Sequence, residues 1–178
     1  MDPNENETER RLTAVLRGLR QVRKFRPDPV ARSVIDSIME VARWTGSGMN
    51  RQPWEFVLIQ DKNTLGELSR VDGPGSHLAG AAFAVIVIMA GESPEIETYD
   101  EGRLTERLML AGAANGLGAG IWWFKDGGAG AKRLLGIPAE RRVRTAVAFG
   151  YPVASPTSGG NANGGRRPLS ELVHEERY

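Results

Sequence analysis

TGSGMNRQPWEF, residues 45–56, changes character halfway. Its first part holds two glycines, a serine, an asparagine and a closing proline, a composition for turn geometry rather than either regular period. Its second part opens the run WEFVLIQ, which has the aromatic and β-branched content of a strand. A polar loop delivered straight into a strand is a rigid mount for directional side chains. Asn50 and Gln52 each offer both a donor and an acceptor without charge, as the carbonyls and nitrogens of a flat heterocycle require.

Upstream, LRQVRKFRPDP forms a basic connector carrying Arg20, Arg23, Lys24 and Arg26. Its arginines suit a phosphate, which they bind bidentately, or a developing anion. They read equally as a solvated connector. Before it, a helix beginning near Thr8 carries Leu12, Val15, Leu16 and Leu19 inward. After it, Asp28 and Pro29 read as the N-cap and first turn of a helix running to about Trp44, with Val30, Val34, Ile38 and Ala42 on its apolar face.

Downstream, Asp61 caps a short helix reaching Leu68. AAFAVIVIMA, residues 81–90, is half the length of a membrane span and fits a strand buried on both faces. GESPE is a proline-broken link. A long helix is expected from about Tyr99 to Leu117. Its first half is charged on one side, through Asp100, Glu101, Arg103, Glu106 and Arg107. Its second half is apolar almost all round, as in a helix buried in the protein or at a subunit interface. AGIWWF is a short strand, KRLLG lies in a short helix, and RVRTAVAFGYP is a last strand ending in a turn. The sequence is read as one domain over 1–178. Residues 1–7 are expected to be disordered and 153–165 flexible, with a docking tail over 166–178 that carries Leu169, Leu172 and Val173.

Composition bounds the chemistry. A chain of 178 residues that is 40% hydrophobic and 25% charged is a soluble globular domain by default. A net charge of +1 gives no argument for nucleic acid or an anionic membrane surface. The absence of cysteine removes disulfides, thiolate nucleophiles and zinc ribbons, and fits a cytoplasmic location. The polar N-terminus does not read as a signal peptide. The two histidines, His77 and His174, have no metal-protease spacing, and no triad elbow or Walker loop occurs. GLGAG at 116–120 follows a helix rather than a strand, so it is not a dinucleotide turn. No metal site is expected. Any redox chemistry therefore belongs to a cofactor.

Four segments, in order, resemble the nitroreductase family. TGSGMNRQPWEF is similar to that family's loop of a small pair, Asn, a variable residue and Gln-Pro-Trp. RQVRKF is similar to its N-terminal phosphate motif, with Leu19 where many members have arginine and Gln21 where they have serine. AGAANGLGAGIWWF resembles its core helix and following segment, and FGYP with RRPLSELVHEERY its last strand and tail. The resemblance implies an α+β fold: a central mixed, mainly antiparallel sheet flanked by helices, with the tail docked on a partner subunit. It implies a homodimer holding FMN at the interface. Hydride then passes from NADH or NADPH through FMN to a nitroaromatic, quinone or similar small acceptor, by a ping-pong scheme. By position, Arg20, Gln21 and Arg23 would face the phosphate, ribityl and pyrimidine side. Ser47, Gly48, Met49 and Asn50 would reach the flavin from the partner, and Gln52 would also bind it. Trp122, Trp123 and Phe124 would give backbone contacts and a ring, and Arg166 with Arg167 would close on the phosphate. The alternative is a flavin-binding protein without an external acceptor, for sensing, storage or flavin degradation; a wide cleft favours the enzyme.

Overall fold

The computed structural model describes residues 12–73, 77–153 and 165–178. Four strands form one sheet: β1 (Trp54–Ile59), β2 (Phe83–Met89), β3 (Gly118–Trp123) and β4 (Arg142–Gly150). Their order is β1-β2-β4-β3 and every strand pair is antiparallel. The outer edge of β3 is met by the N-terminal connector, through a parallel bridge between Gln21 and Ala119. The sheet is thus mainly antiparallel with one parallel contact, and an edge that would otherwise be open is paired.

Helices cover both faces. Helix α1 (Arg32–Arg43) and the long α3 (Pro94–Ala114) lie on one side, and α2 (Lys62–Leu68) and α4 (Ala129–Leu135) on the other. This explains the unbroken apolar run in β2. Phe83, Val85, Val87 and Met89 enter the core under α1 and α3, while Ala84, Ile86 and Ile88 enter the second core. Strand side chains alternate between faces, so only a doubly covered strand is apolar at every position. Phe83 and Phe149 stack with ring centroids 4.6 Å apart beneath α3. Among the described residues, no helix is long and apolar enough to cross a membrane.

Several boundaries differ from the sequence expectation. Helix α1 starts at Arg32 behind Ala31, with no side-chain cap, while Asp28 pairs with Arg26 instead. Helix α2 is capped as expected, its first-turn Thr64 N–H donating to Asp61 at 2.8 Å. Helix α3 begins at Pro94, not near Tyr99. The proline that looked like a break occupies the first helical turn, where its missing N–H costs nothing.

The acidic first half of α3 is also not simply a solvated face: Glu97, Asp100 and Glu101 are buried. The Glu97 carboxylate accepts from the N–H groups of Gly91, Glu92 and Ser93, and lies 3.5 Å from Arg142. Glu101 accepts from Arg142 at 2.7 Å and from the Thr145 hydroxyl at 2.7 Å. These partners on the preceding loop and on β4 replace the water that burial removes.

The N-terminal segment departs further. Residues 12–18 are helical, but Leu12, Val15 and Leu16 are exposed. Both cores are already filled by the four other helices, so this apolar stripe has no inward face left to cover. The start of that helix near Thr8 and the disorder expected over 1–7 lie outside the described residues, as does most of the 153–165 segment.

Burial alone would raise the Glu97 carboxyl, but the Ser93, Gly91 and Glu92 N–H groups and the Arg142 charge outweigh it and hold it below the usual carboxylate range. A depressed folded value contributes stability above the unfolded value, and that contribution is lost as pH falls through the folded one. Urea denaturation as a function of pH should show wild-type stability falling below about pH 4. In Glu97→Gln that acid limb should be shallower and stability at neutral pH lower. Equal acid slopes in the two proteins would contradict this account of how the start of α3 is held.

Candidate functional site

The connector before α1 is drawn tightly onto β3. The Val22 N–H donates to the Ala119 carbonyl at 2.8 Å, and the Ile121 N–H donates to the Gln21 side-chain carbonyl at 3.1 Å. Two glycines permit the approach. A Cβ at Gly118 would lie 2.7 Å from Val22 Cβ, and one at Gly120 would meet the Val22 carbonyl oxygen and the His77 ring. This is the role of GLGAG: close backbone contact with the connector.

Beside this junction lies a cavity of ≈ 630 Å³, lined among others by Leu19, Arg20, Gln21, Met109, Ile121 and Arg166. It shares Glu106 and Ile121 with a second hollow of ≈ 270 Å³, walled by Trp123, Arg144, Thr98 and Thr105. Together they form one cleft between α3 and β3. Arg20 donates from Nη1 to the carbonyls of Arg17 and Leu19, at 2.8 Å each. Among the described residues, neither Arg20 nor Arg166 pairs with a carboxylate. Two cations without acidic partners at one end of a cleft form an anion-binding end.

The loop ahead of β1 is wound tightly. Gly48–Asn50 make a 3-10 turn, and Met49, Asn50 and Gln52 all have φ near +50° (52°, 53° and 50°). Such values are costly for non-glycine residues and persist only where surrounding bonds enforce them. Here the Gln52 N–H donates to the Ser47 hydroxyl at 2.8 Å, the Asn50 N–H to the Ser47 carbonyl at 3.1 Å, and the Trp54 N–H to the Gln52 carbonyl at 2.8 Å. Met49 stands out at 80% exposure. Gly48 and Gln52 line a separate hollow of ≈ 520 Å³ with Ile96 and Asp100 of α3.

The loop and the cleft lie on opposite faces of α3. The cleft takes Thr98, Glu101, Gly102, Thr105, Glu106 and Met109. The loop region packs at Ile96, Asp100, Arg103 and Arg107, the last donating to the Trp44 carbonyl at 3.1 Å. At 3.6 residues per turn these two sets are half a turn apart. One subunit therefore does not bring Asn50 to its own cleft.

The remaining expected site residues divide clearly. Arg20, Gln21 and Arg166 share the cleft, and Trp123 stands at its far end. Trp122 points to the opposite face of β3, against His77 with ring centroids 6.0 Å apart. The Phe124 ring is inside the second core at 1% exposure, so it supplies no ring to the cleft. Strand alternation, which the reading of IWWF as one block overlooked, dictates this split. Among the described residues, the Arg23 side chain donates to the Gln21 side-chain oxygen at 3.4 Å. Arg167 is engaged within the tail by Glu171 at 3.1 Å, leaving Arg166 as the tail residue at the cleft. Tail residues 165–178 are all exposed on this subunit. His77 is pushed below its ordinary value chiefly by burial and also by the nearby Arg23 charge, against an opposing backbone hydrogen bond at Gly120. Sequence reading missed Leu16, Arg17, Glu106, Met109 and Arg144. Glu106 and Met109 are three apart on one helix and could have been placed together by period alone.

Comparisons with known proteins agree with this geometry. Residues 16–85 match the model of the nitroreductase family, and that span includes the connector and the loop. A provisionally named NADH dehydrogenase/NAD(P)H nitroreductase of Methanothermobacter thermautotrophicus is 27% identical over 143 residues, covering 77% of this chain and 75% of its own. Over residues 16–85 the chain is similar to the nitroreductase family. Solved structures carry the same fold. An FMN-dependent nitroreductase from Clostridium difficile superposes with a TM-score of 0.82 at 20% identity, over 93% of this chain and 99% of that one. An NADPH:FMN oxidoreductase from Vibrio harveyi, complexed with NAD+, does so at 0.78 and 22%, over 93% and 77%.

The contact between connector and β3 shapes the cleft wall. Gly120→Ala should lower unfolding free energy by about 1–3 kcal/mol, because the added methyl must displace Val22 or His77. Chemical denaturation measures this directly; an unchanged midpoint would mean that the connector is not held as described.

Proposed function

We propose that the protein is an FMN-dependent NAD(P)H oxidoreductase that works as a homodimer on small planar acceptors such as nitroaromatics or quinones. The observation that carries this is the division of labour across α3. A cleft with two arginines that, among the described residues, pair with no carboxylate lies on one face, and a rigid polar loop aimed away from that cleft lies on the other.

The residues present fit FMN. Arg20 and Arg166 offer charge-assisted bonds for its phosphate at one end of the cleft. The β3 edge and the Gln21 side chain, itself fixed by the Ile121 N–H, offer a straight polar wall along its length. Leu19 and Met109 supply apolar surface between them. In a symmetric dimer, Ser47, Gly48, Met49 and Asn50 of one protomer reach the cleft of the other, with Gln52 holding the loop in shape. The exposed stripe of residues 12–18 and the tail side chains Leu169, Leu172 and Val173 are apolar surface suited to the same interface. Bound there, FMN supplies the ring that takes up and gives out hydride.

The chain's own residues bind, orient and admit reactants. No side chain in the cleft is placed as a nucleophile. Trp122 and Phe124 turn away, so the far end stays open, and that favours turnover over a closed flavin store. A single cleft serves donor and acceptor in turn. Initial rates with NADH or NADPH and a quinone should therefore give parallel double-reciprocal lines; intersecting lines would reject the one-cleft scheme.

Arg20→Ala and Arg166→Ala should each weaken FMN binding by about 1.5–3 kcal/mol in fluorescence titrations of the apoprotein. Arg26→Ala, whose side chain stacks on Tyr151, should bind FMN like wild type. If the first two variants also titrate like wild type, the phosphate end lies elsewhere.

A further inference from the structure

The far end of the cleft has a chemistry of its own. Trp123 is 58% exposed, and the Arg144 guanidinium lies 4.7 Å from the centroid of its ring. Around them, Thr98 and Thr105 spend their hydroxyl protons on the Pro94 and Glu101 carbonyls of α3. Glu101 gives one oxygen to Thr145 and the other chiefly to Arg142, at 2.7 Å, with Arg144 only at 3.5 Å. Among the described residues, Arg144 donates from Nη2 alone, to Thr98 Oγ1 at 3.1 Å and to that distant Glu101 oxygen. Among the described residues its Nη1 makes no hydrogen bond, so part of the guanidinium fork is left for an acceptor from outside the subunit.

Charge is ordered along the cleft. Arg20 and Arg166 mark one end, the exposed Glu106 marks the junction, and Arg144 marks the other end. An anionic group on a ligand at the far end is repelled by the middle and met by unspent guanidinium donors beyond it. The exposed indole offers a flat apolar wall beside those donors.

Resting on the oxidoreductase reading above, we propose that Trp123 and Arg144 form an acceptor-selecting subsite that favours planar aromatic acceptors bearing an anionic substituent, such as a ring carboxylate. Trp123 stacks the ring and Arg144 takes the carboxylate. The preference belongs to the acceptor and not to the nicotinamide donor.

The test uses the FMN-loaded protein and two acceptors of nearly equal shape, 4-nitrobenzoate and 4-nitrobenzamide. Wild type should prefer the carboxylate in kcat/KM. Calorimetry should show benzoate binding more tightly than benzamide. In Arg144→Gln the carboxylate-to-amide ratio should fall roughly tenfold, and benzoate affinity with it. Arg144→Lys, which keeps the charge but loses the planar fork, should fall between. Arg32→Gln, on the exposed face of α1, should keep the wild-type ratio. Equal binding of benzoate and benzamide to wild type overturns the proposal without any variant. So does an Arg144→Gln protein of native circular dichroism whose ratio is unchanged, or one in which only the KM for NADH or NADPH moves. Absence of turnover with either acceptor would count against the oxidoreductase reading, while the benzoate titration would still decide the subsite.

Discussion

The ion pairs between α3 and β4 fix the rotation of the longest helix, and the layout of the site follows from that rotation. Glu101 reaches Arg142 and Thr145, and Glu97 ties the same helix to the backbone of residues 91–93. With these carboxylates turned toward β4, Leu104, Leu108 and Ala111 face the core under α1. The helical period then sets the other two faces: Thr98, Thr105, Glu106 and Met109 along the cleft, and Ile96, Asp100 and Arg103 toward the loop. A modest rotation of α3 would part the buried Glu97 and Glu101 from their partners, and a carboxylate left buried without a partner is costly.

A second constraint is covalently simple. Gly118 and Gly120 have no side chains, so the connector can lie directly on β3. That contact places Gln21 against Ile121 and lets Arg20 point into the cleft. The anion-binding end is thus built from an ordinary strand edge and an extended segment, without a phosphate-binding helix terminus. The tail adds Arg166 from the other end of the sequence. Three segments distant in sequence, together with α3, make one wall each.

Much of this was legible beforehand. Residues 45–56 read correctly as a polar loop feeding a strand, and β2 as a strand covered on both faces; Arg20, Gln21 and Arg166, expected at one site, line one cavity. What remained hidden depends on long-range partners. No local pattern says that Glu97 and Glu101 are buried, since their compensating groups lie on residues 91–93 and β4. Pro94 looks like a break until Glu97 is seen to accept from the turn before it. Trp122, Trp123 and Phe124 look like one aromatic block, although strand alternation sends only Trp123 to the cleft. The stripe of Leu12, Val15 and Leu16 has helical spacing and an apolar face, but the core it was expected to meet is already full.

The central claim is that each site combines the cleft of one protomer with the loop of the other. Mixing two damaged proteins tests it most directly. One carries Arg20→Ala with Arg166→Ala, which disables the cleft; the other carries Asn50→Leu, which removes the loop's donor and acceptor. Each homodimer should bind FMN poorly at a concentration that half-saturates wild type. After unfolding together and refolding, random pairing should restore roughly a quarter of the wild-type sites, because every mixed dimer has one intact cleft facing one intact loop. Recovery near that fraction is the predicted result. A mixture that binds no more FMN than the separate variants would contradict the shared site.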